Sequence, residues 1–206
     1  MTDPVKTAQD DLAFMRNLVD QGGRAGTTGG SLFLAGGLLY GLQCLFHWAQ
    51  FRELIDPPGV VNLIGALGPT VVFVALLIVV VARDAKSTAT GGASRALQAM
   101  FAGIGLANLA MVLVFGVNAA THPGFPVWLF YPPVIFALQG AAWFVVWRLR
   151  KRAWLGAVAI GWFVAAVALG LSVDMLERYI LIAAASLLLL MAIPGAVMMR
   201  LAAKEA

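Results

Sequence analysis

Long apolar runs separated by short polar segments dominate the pattern along this chain. A helix that crosses about 30 Å of hydrocarbon, at about 1.5 Å per residue, needs about 20 apolar residues. Six runs meet this length, and none carries Asp, Glu, Lys or Arg in its interior. The pattern predicts an all-α integral membrane protein with six transmembrane helices arranged as three hairpins. The predicted spans are residues 31–50, 59–82, 96–118, 127–147, 153–171 and 179–199.

Basic residues lie at the ends of these runs and divide unequally between the two sides of the predicted bundle. Twelve of the 14 Lys and Arg residues fall on the side of the N-terminus, and only Arg52 and Arg178 fall on the other. The densest cluster lies at residues 148–152. Because a charged side chain at the bilayer centre costs at least ~2.5 kcal/mol, this cluster must form a turn outside the hydrocarbon. Because loops rich in Lys and Arg stay inside, we expect both termini in the cytoplasm and the chain in a bacterial inner membrane.

The opposite side carries more acidic than basic residues. Glu53 and Asp56 lie in its first loop, and Asp174 and Glu177 lie in its last. We interpret these side chains as solvated loop charges.

Composition supports the membrane class and excludes several functions. The chain of 206 residues is 61% hydrophobic and 12% charged, against about 25% charged residues in soluble domains. The net charge of +4 sits mainly at span ends and does not indicate a nucleic-acid partner. A lone cysteine, Cys44, excludes an intramolecular disulfide and a CxxC redox site. We expect no cleavable signal peptide, because residues 1–30 contain no apolar core segment.

Three regions follow from these boundaries: a cytoplasmic arm (1–30), a transmembrane domain (31–200) and a cytoplasmic tail (201–206). In the arm, Thr7 and Asp10 form a capping box, which predicts an amphipathic helix that ends at Gly22–Gly23 before a Gly-rich connector, 22–30. Its polar face is acidic, so an anionic membrane surface would repel it. We expect it to dock on protein, in cis over the cytoplasmic ends of the spans, with Asp10, Asp11 or Asp20 facing the basic turn 148–152. A cytoplasmic partner could compete for the same apolar face. Its apolar half comprises Leu12, Phe14, Met15, Leu18 and Val19.

Small residues four apart recur at the same depth in the odd-numbered spans. They allow another helix backbone to approach closely, and they suggest a parallel internal repeat. The rival interpretation is coincidence, because a chain with 22 glycines produces such pairs often. The pairs are Gly37 with Gly41, Gly103 with Ala107, and Gly161 with Ala165.

Polar and proline residues inside the spans have two interpretations each. Gln43, Asn108 and Gln139 lie deepest; their amides either bond across helix interfaces or line a path for a neutral solute. Pro69 and Pro194 are expected to kink their helices, either as static packing features or as hinges.

Candidate chemistry is sparse. His47 and His122 lie on the same side of the membrane and are weak candidates for a metal or haem site, with Glu53 or Asp56 assisting. No GxSxG stretch and no Ser–His or Asp–Asp pair occurs in the deep spans, so we expect no enzyme activity and no cofactor.

The sequence therefore predicts a non-enzymatic membrane protein that senses, anchors or scaffolds, with its N-terminal helix binding a cytoplasmic partner. A second hypothesis is a small channel or transporter for a neutral or lipophilic solute. Expected partners are the bilayer and either a cytoplasmic protein or a second copy of the chain, with no nucleic acid. Residues 11–16, followed by a span, look like the start of many bacterial multi-pass proteins, a resemblance that implies no activity.

Overall fold

The computed structural model describes residues 4–84, 92–122 and 126–205, with side chains described for 28–83, 99–122 and 126–204. All regular structure in these residues is helical. Seven α-helices occur: α1 (Pro4–Phe51), α2 (Gly59–Asp84), α3 (Gly92–Thr121), α4 (Tyr131–Arg150), α5 (Ala153–Gly170), α6 (Leu176–Leu187) and α7 (Ile193–Glu205). A 3-10 turn (Val127–Phe130) precedes α4, and a π turn (Leu188–Ala192) joins α6 to α7.

Six helical segments are long and apolar enough to cross a membrane, which confirms the predicted number of spans. α6, the π turn and α7 together make the sixth. The chain is thus a multi-pass membrane protein by helix length and hydropathy. The segments are Thr28–Phe51, Gly59–Arg83, Ala99–Thr121, Val127–Arg150, Ala153–Gly170 and Leu176–Lys204.

The N-terminal arm differs from the prediction, because its helix does not end at Gly22–Gly23. α1 continues without interruption for 48 residues, through the expected connector and into the first span. A helical glycine costs about 1 kcal/mol relative to alanine, which is a weak preference that context overrides. Part of that context is packing: a Cβ on Gly30 would lie 2.8 Å from the carbonyl oxygen of Gly195. Gly30 therefore serves a close helix contact and not a flexible joint.

The helices pack in an order different from their order in the chain. Each predicted hairpin is in contact, since α1 meets α2, α3 meets α4 and α5 meets α6. The more extensive interfaces, however, join different hairpins: α4 packs along α5, and α1 packs along α6, the π turn and α7. α1 and the sixth span thereby lie side by side and hold the bundle together.

The buried core lies between α4, α5 and α6. Trp143, Trp162 and Leu169 are its largest fully buried side chains. By contrast, none of the residues in the most apolar windows of α2 and α3 is buried. Their exposed apolar side chains suit a lipid environment, so α2 and α3 form the periphery of the bundle.

Glycine packing supports two of the three predicted stripes. A Cβ on Gly37 would overlap the backbone nitrogen of Ala192, and one on Gly41 would lie 2.7 Å from Leu188. On α5, a Cβ on Gly161 would lie 2.6 Å from Leu190. The stripes of α1 and α5 therefore both pack against the π turn of the sixth span.

The third stripe, on α3, does not pack closely against another helix within the described residues. Around Gly103 on α3, the described residues place no atom within 4 Å of an added Cβ, apart from the adjoining residues and backbone of its own helix. Gly103 thus makes no close helix contact in this part of the chain, because α3 lies at the periphery, and its packing role stays a prediction.

The two span prolines occupy different settings. Pro69 lies inside α2, which continues to Asp84. Pro194 is buried and lies two residues after the end of the π turn, where it has no N–H to offer the carbonyl of Leu190. Helix distortions commonly occur at prolines, and single π turns are one form of helix irregularity. The structure thus shows a defined distortion at the second proline.

Candidate functional site

Two of the three predicted amides bond across helix interfaces. Gln43 on α1 donates from Nε2 to the carbonyl oxygen of Ala66 on α2, at 2.6 Å. That carbonyl is next to the one on Gly65, which Pro69 leaves without its helical donor. On the other side of the bundle, the hydroxyl of Tyr131 donates to Oδ1 of Asn108 at 2.7 Å. These bonds tie the peripheral helices α2 and α3 to α1 and α4.

Gln139 behaves differently from the other two amides. Its Oε1 is buried and has no hydrogen-bond partner within the described residues. The same holds for the indole nitrogens of Trp143 and Trp162. Each buried polar atom left without a partner costs about 1–3 kcal/mol. The core between α4 and α5 therefore carries two donors and one acceptor that have no partner within the described residues.

The two candidate metal ligands have separate local partners. Oε1 of Gln50 accepts a hydrogen bond from Nδ1 of His47 at 2.9 Å, and Nε2 of Gln50 donates to Asn62 of α2 at 3.1 Å. His122 contacts the Thr121 hydroxyl at 2.9 Å. Among the residues whose side chains are described, no group of three His, Cys, Asp or Glu is arranged to hold a metal ion.

A polar cluster that the sequence analysis missed lies where α1 ends and α6 begins. Glu177 accepts a hydrogen bond from Nε1 of Trp48 at 3.4 Å and forms an ion pair with Arg52, also at 3.4 Å. Beside this cluster lies an open groove of about 800 Å³, lined by Phe51 and by residues between Asp174 and Ala185. The sequence shows only loop charges here, because the lining comes from segments more than 120 positions apart.

The predicted partner-binding surface lies outside the described side chains. The backbone that carries it is helical. The positions concerned are Leu12, Phe14, Met15, Leu18 and Val19.

Comparisons with protein-family models, with curated proteins and with solved structures find no match to this chain. The interpretation of its function therefore depends on the residues themselves. Within the described spans these residues offer neutral amides, hydroxyls and indoles, which suit binding and packing.

Proposed function

We propose that this chain is a non-enzymatic membrane protein that anchors or senses a cytoplasmic partner through the N-terminal half of α1. Both termini face the cytoplasm of a bacterial inner membrane in this proposal. The observation that carries it is the continuity of α1 from Pro4 to Phe51. Residues 28–51 form the first span, so residues 4–27 extend the same helix by about 36 Å at ~1.5 Å per residue.

Continuity of the helix favours a partner protein over docking on the chain's own cytoplasmic loops. Docking on the chain's own cytoplasmic loops needs a turn near Gly22–Gly23, and α1 is helical there. A partner protein is therefore the better occupant for the predicted apolar half of this helix. α1 also contacts α2, α6, the π turn and α7. A partner that shifts the N-terminal half of α1 would thus act directly on the helix that packs along the sixth span.

The test is partner capture with matched variants in a gentle detergent. Wild-type protein and Asp20→Asn should retain the same cytoplasmic protein, whereas Leu18→Asp and a chain lacking residues 1–24 should lose it. The reason is that apolar contacts dominate such a groove interaction, while an exposed charge contributes about 0.2–1 kcal/mol. Equal capture by the truncated chain would refute the proposal.

Rigid coupling is tested separately by breaking the helix. Gly23→Pro removes a backbone donor and should break α1 at a cost of about 3 kcal/mol. Limited proteolysis should then cut the variant near this position and leave wild-type α1 intact through residues 22–30. Cleavage of both proteins at the same rate would contradict a continuous helix.

A second function is favoured by the unpartnered atoms of Gln139, Trp143 and Trp162. Together with the amides of Gln43 and Asn108, they support a channel or transporter for a small neutral solute. Proteoliposomes that take up urea or glycerol faster than protein-free vesicles, and more slowly with Gln139→Leu, would favour this function over the first. Equal uptake by proteoliposomes and protein-free vesicles would refute the transport function and leave the anchor function as the proposal.

A further inference from the structure

The groove beside α6 combines apolar and charged walls at one end of the bundle. Phe51, the last residue of α1, lines one side of the groove, and Leu181, Ile182 and Ala185 line it along α6. Asp174 and Arg178 lie at the end of the groove where α6 begins. This end is opposite the basic turn 148–152, so the groove runs from the membrane surface into the apolar zone.

The charged side chains in this groove differ in whether they have a bonding partner. Glu177 is already engaged by Arg52 and Trp48. Asp174 and Arg178 have neither an ion pair nor a hydrogen bond from their side chains within the described residues. One anion and one cation without a protein partner in the described residues thus line the same groove, together with apolar side chains. An occupant that satisfies both must itself carry a cation and an anion close together, with an apolar tail.

We infer that this groove binds a zwitterionic phospholipid, phosphatidylethanolamine. Its phosphate would face the guanidinium of Arg178, which presents paired donors to phosphate oxygens. Its ammonium, with three N–H donors, would face the carboxylate of Asp174. One acyl chain would lie along Leu181, Ile182 and Ala185. The volume of this open groove, about 800 Å³, is in the range of clefts that hold drug-sized ligands.

The inference does not rest on the proposed function, and it is tested on the full chain in detergent. Native mass spectrometry would count lipid adducts after addition of phosphatidylethanolamine, phosphatidylcholine or phosphatidylglycerol. Wild-type protein should bind phosphatidylethanolamine best, because the methylated choline cannot donate hydrogen bonds and the glycerol head lacks a cation. The preference over phosphatidylglycerol should be about twofold to fivefold, the range that an exposed ion pair gives.

Variants separate the two charges. Asp174→Asn should abolish the preference for phosphatidylethanolamine, whereas Arg178→Gln should weaken binding of all three lipids, since each carries a phosphate. Arg150→Gln is the matched control, because Arg150 is equally exposed at the opposite end. Ala185→Trp fills the apolar part of the groove and should lower binding of every lipid without touching the charges.

Three outcomes would overturn the inference. One is equal binding of the three lipids by wild-type protein, and another is a preference that survives Asp174→Asn. The third is a dimer that binds no phosphatidylethanolamine and that dissociates in the Asp174→Asn variant. Such a dimer would form if Asp174 and Arg178 paired across a two-fold axis. The same mass spectra report all three.

Discussion

Replacement of Gly37 by alanine probes the contact that joins the first and sixth spans. The added methyl would overlap the backbone nitrogen of Ala192 and lie 2.8 Å from its Cα. A backbone cannot rotate away as a side chain does. Either α1 must move outward or the π turn must shift, and both changes disturb the contacts of α1 along α6 and α7.

Two other glycines serve as controls of the same chemistry. A methyl on Gly36 would meet the terminal carbon of Met191 at 2.6 Å and a ring carbon of Phe73 at 2.9 Å. Met191 is flexible and can swing aside. A methyl on Gly103 meets no atom of the described residues within 4 Å. The three sites thus present a rigid obstacle, a soft obstacle and open space.

The expected free energies of unfolding follow from two opposing terms. Overpacking costs about 1–3 kcal/mol, and the backbone obstacle at Gly37 places it near the upper limit. Glycine-to-alanine in a helix gains up to about 1 kcal/mol at all three sites. We expect Gly37→Ala to lose about 2 kcal/mol, Gly36→Ala to change little and Gly103→Ala to gain up to about 1 kcal/mol.

The assay is equilibrium unfolding in mixed micelles, followed by tryptophan fluorescence. Because the helix-propensity gain is common to the three variants, their differences report packing alone. If Gly37→Ala unfolds within about 0.5 kcal/mol of Gly103→Ala, the close approach of α1 to the π turn is not what stabilises the bundle.

The spans were predictable because hydrocarbon imposes one strong requirement on the chain. A run of about 20 apolar residues must form a helix to satisfy its backbone in lipid, so length and composition suffice. The end of the arm helix was not predictable in this way. Gly22–Gly23 is a local stop signal, and a preference of about 1 kcal/mol per glycine is small enough for context to override.

Packing partners could not be predicted because they are not encoded locally. Gly37 and Gly103 have the same spacing to a small residue four positions later, yet the first meets a backbone and the second meets open space. The π turn (Leu188–Ala192) supplies the backbone that Gly37 meets, whereas α3 lies at the periphery of the bundle. The groove was missed for a related reason, since Phe51 and Asp174 are brought together only by the fold.

Two further predictions concern orientation and buried hydroxyl groups. In a Cys44→Ser background, an impermeant thiol reagent added outside cells should label Asp56→Cys and spare Arg150→Cys, because twelve of the 14 basic residues lie on the side of Arg150; the reverse pattern would overturn the proposed topology. Tyr179→Phe should cost more stability than Tyr131→Phe. Tyr179 is only 5% exposed and donates to the carbonyl of Leu129 at 2.7 Å, so its loss leaves a backbone acceptor unsatisfied at about 1–3 kcal/mol. Tyr131 is half-buried and donates to the Asn108 amide, which can rotate toward another donor, so about 0.6 kcal/mol is expected there. Thermal unfolding in detergent measures both variants, and equal shifts would show that the carbonyl of Leu129 finds a substitute donor.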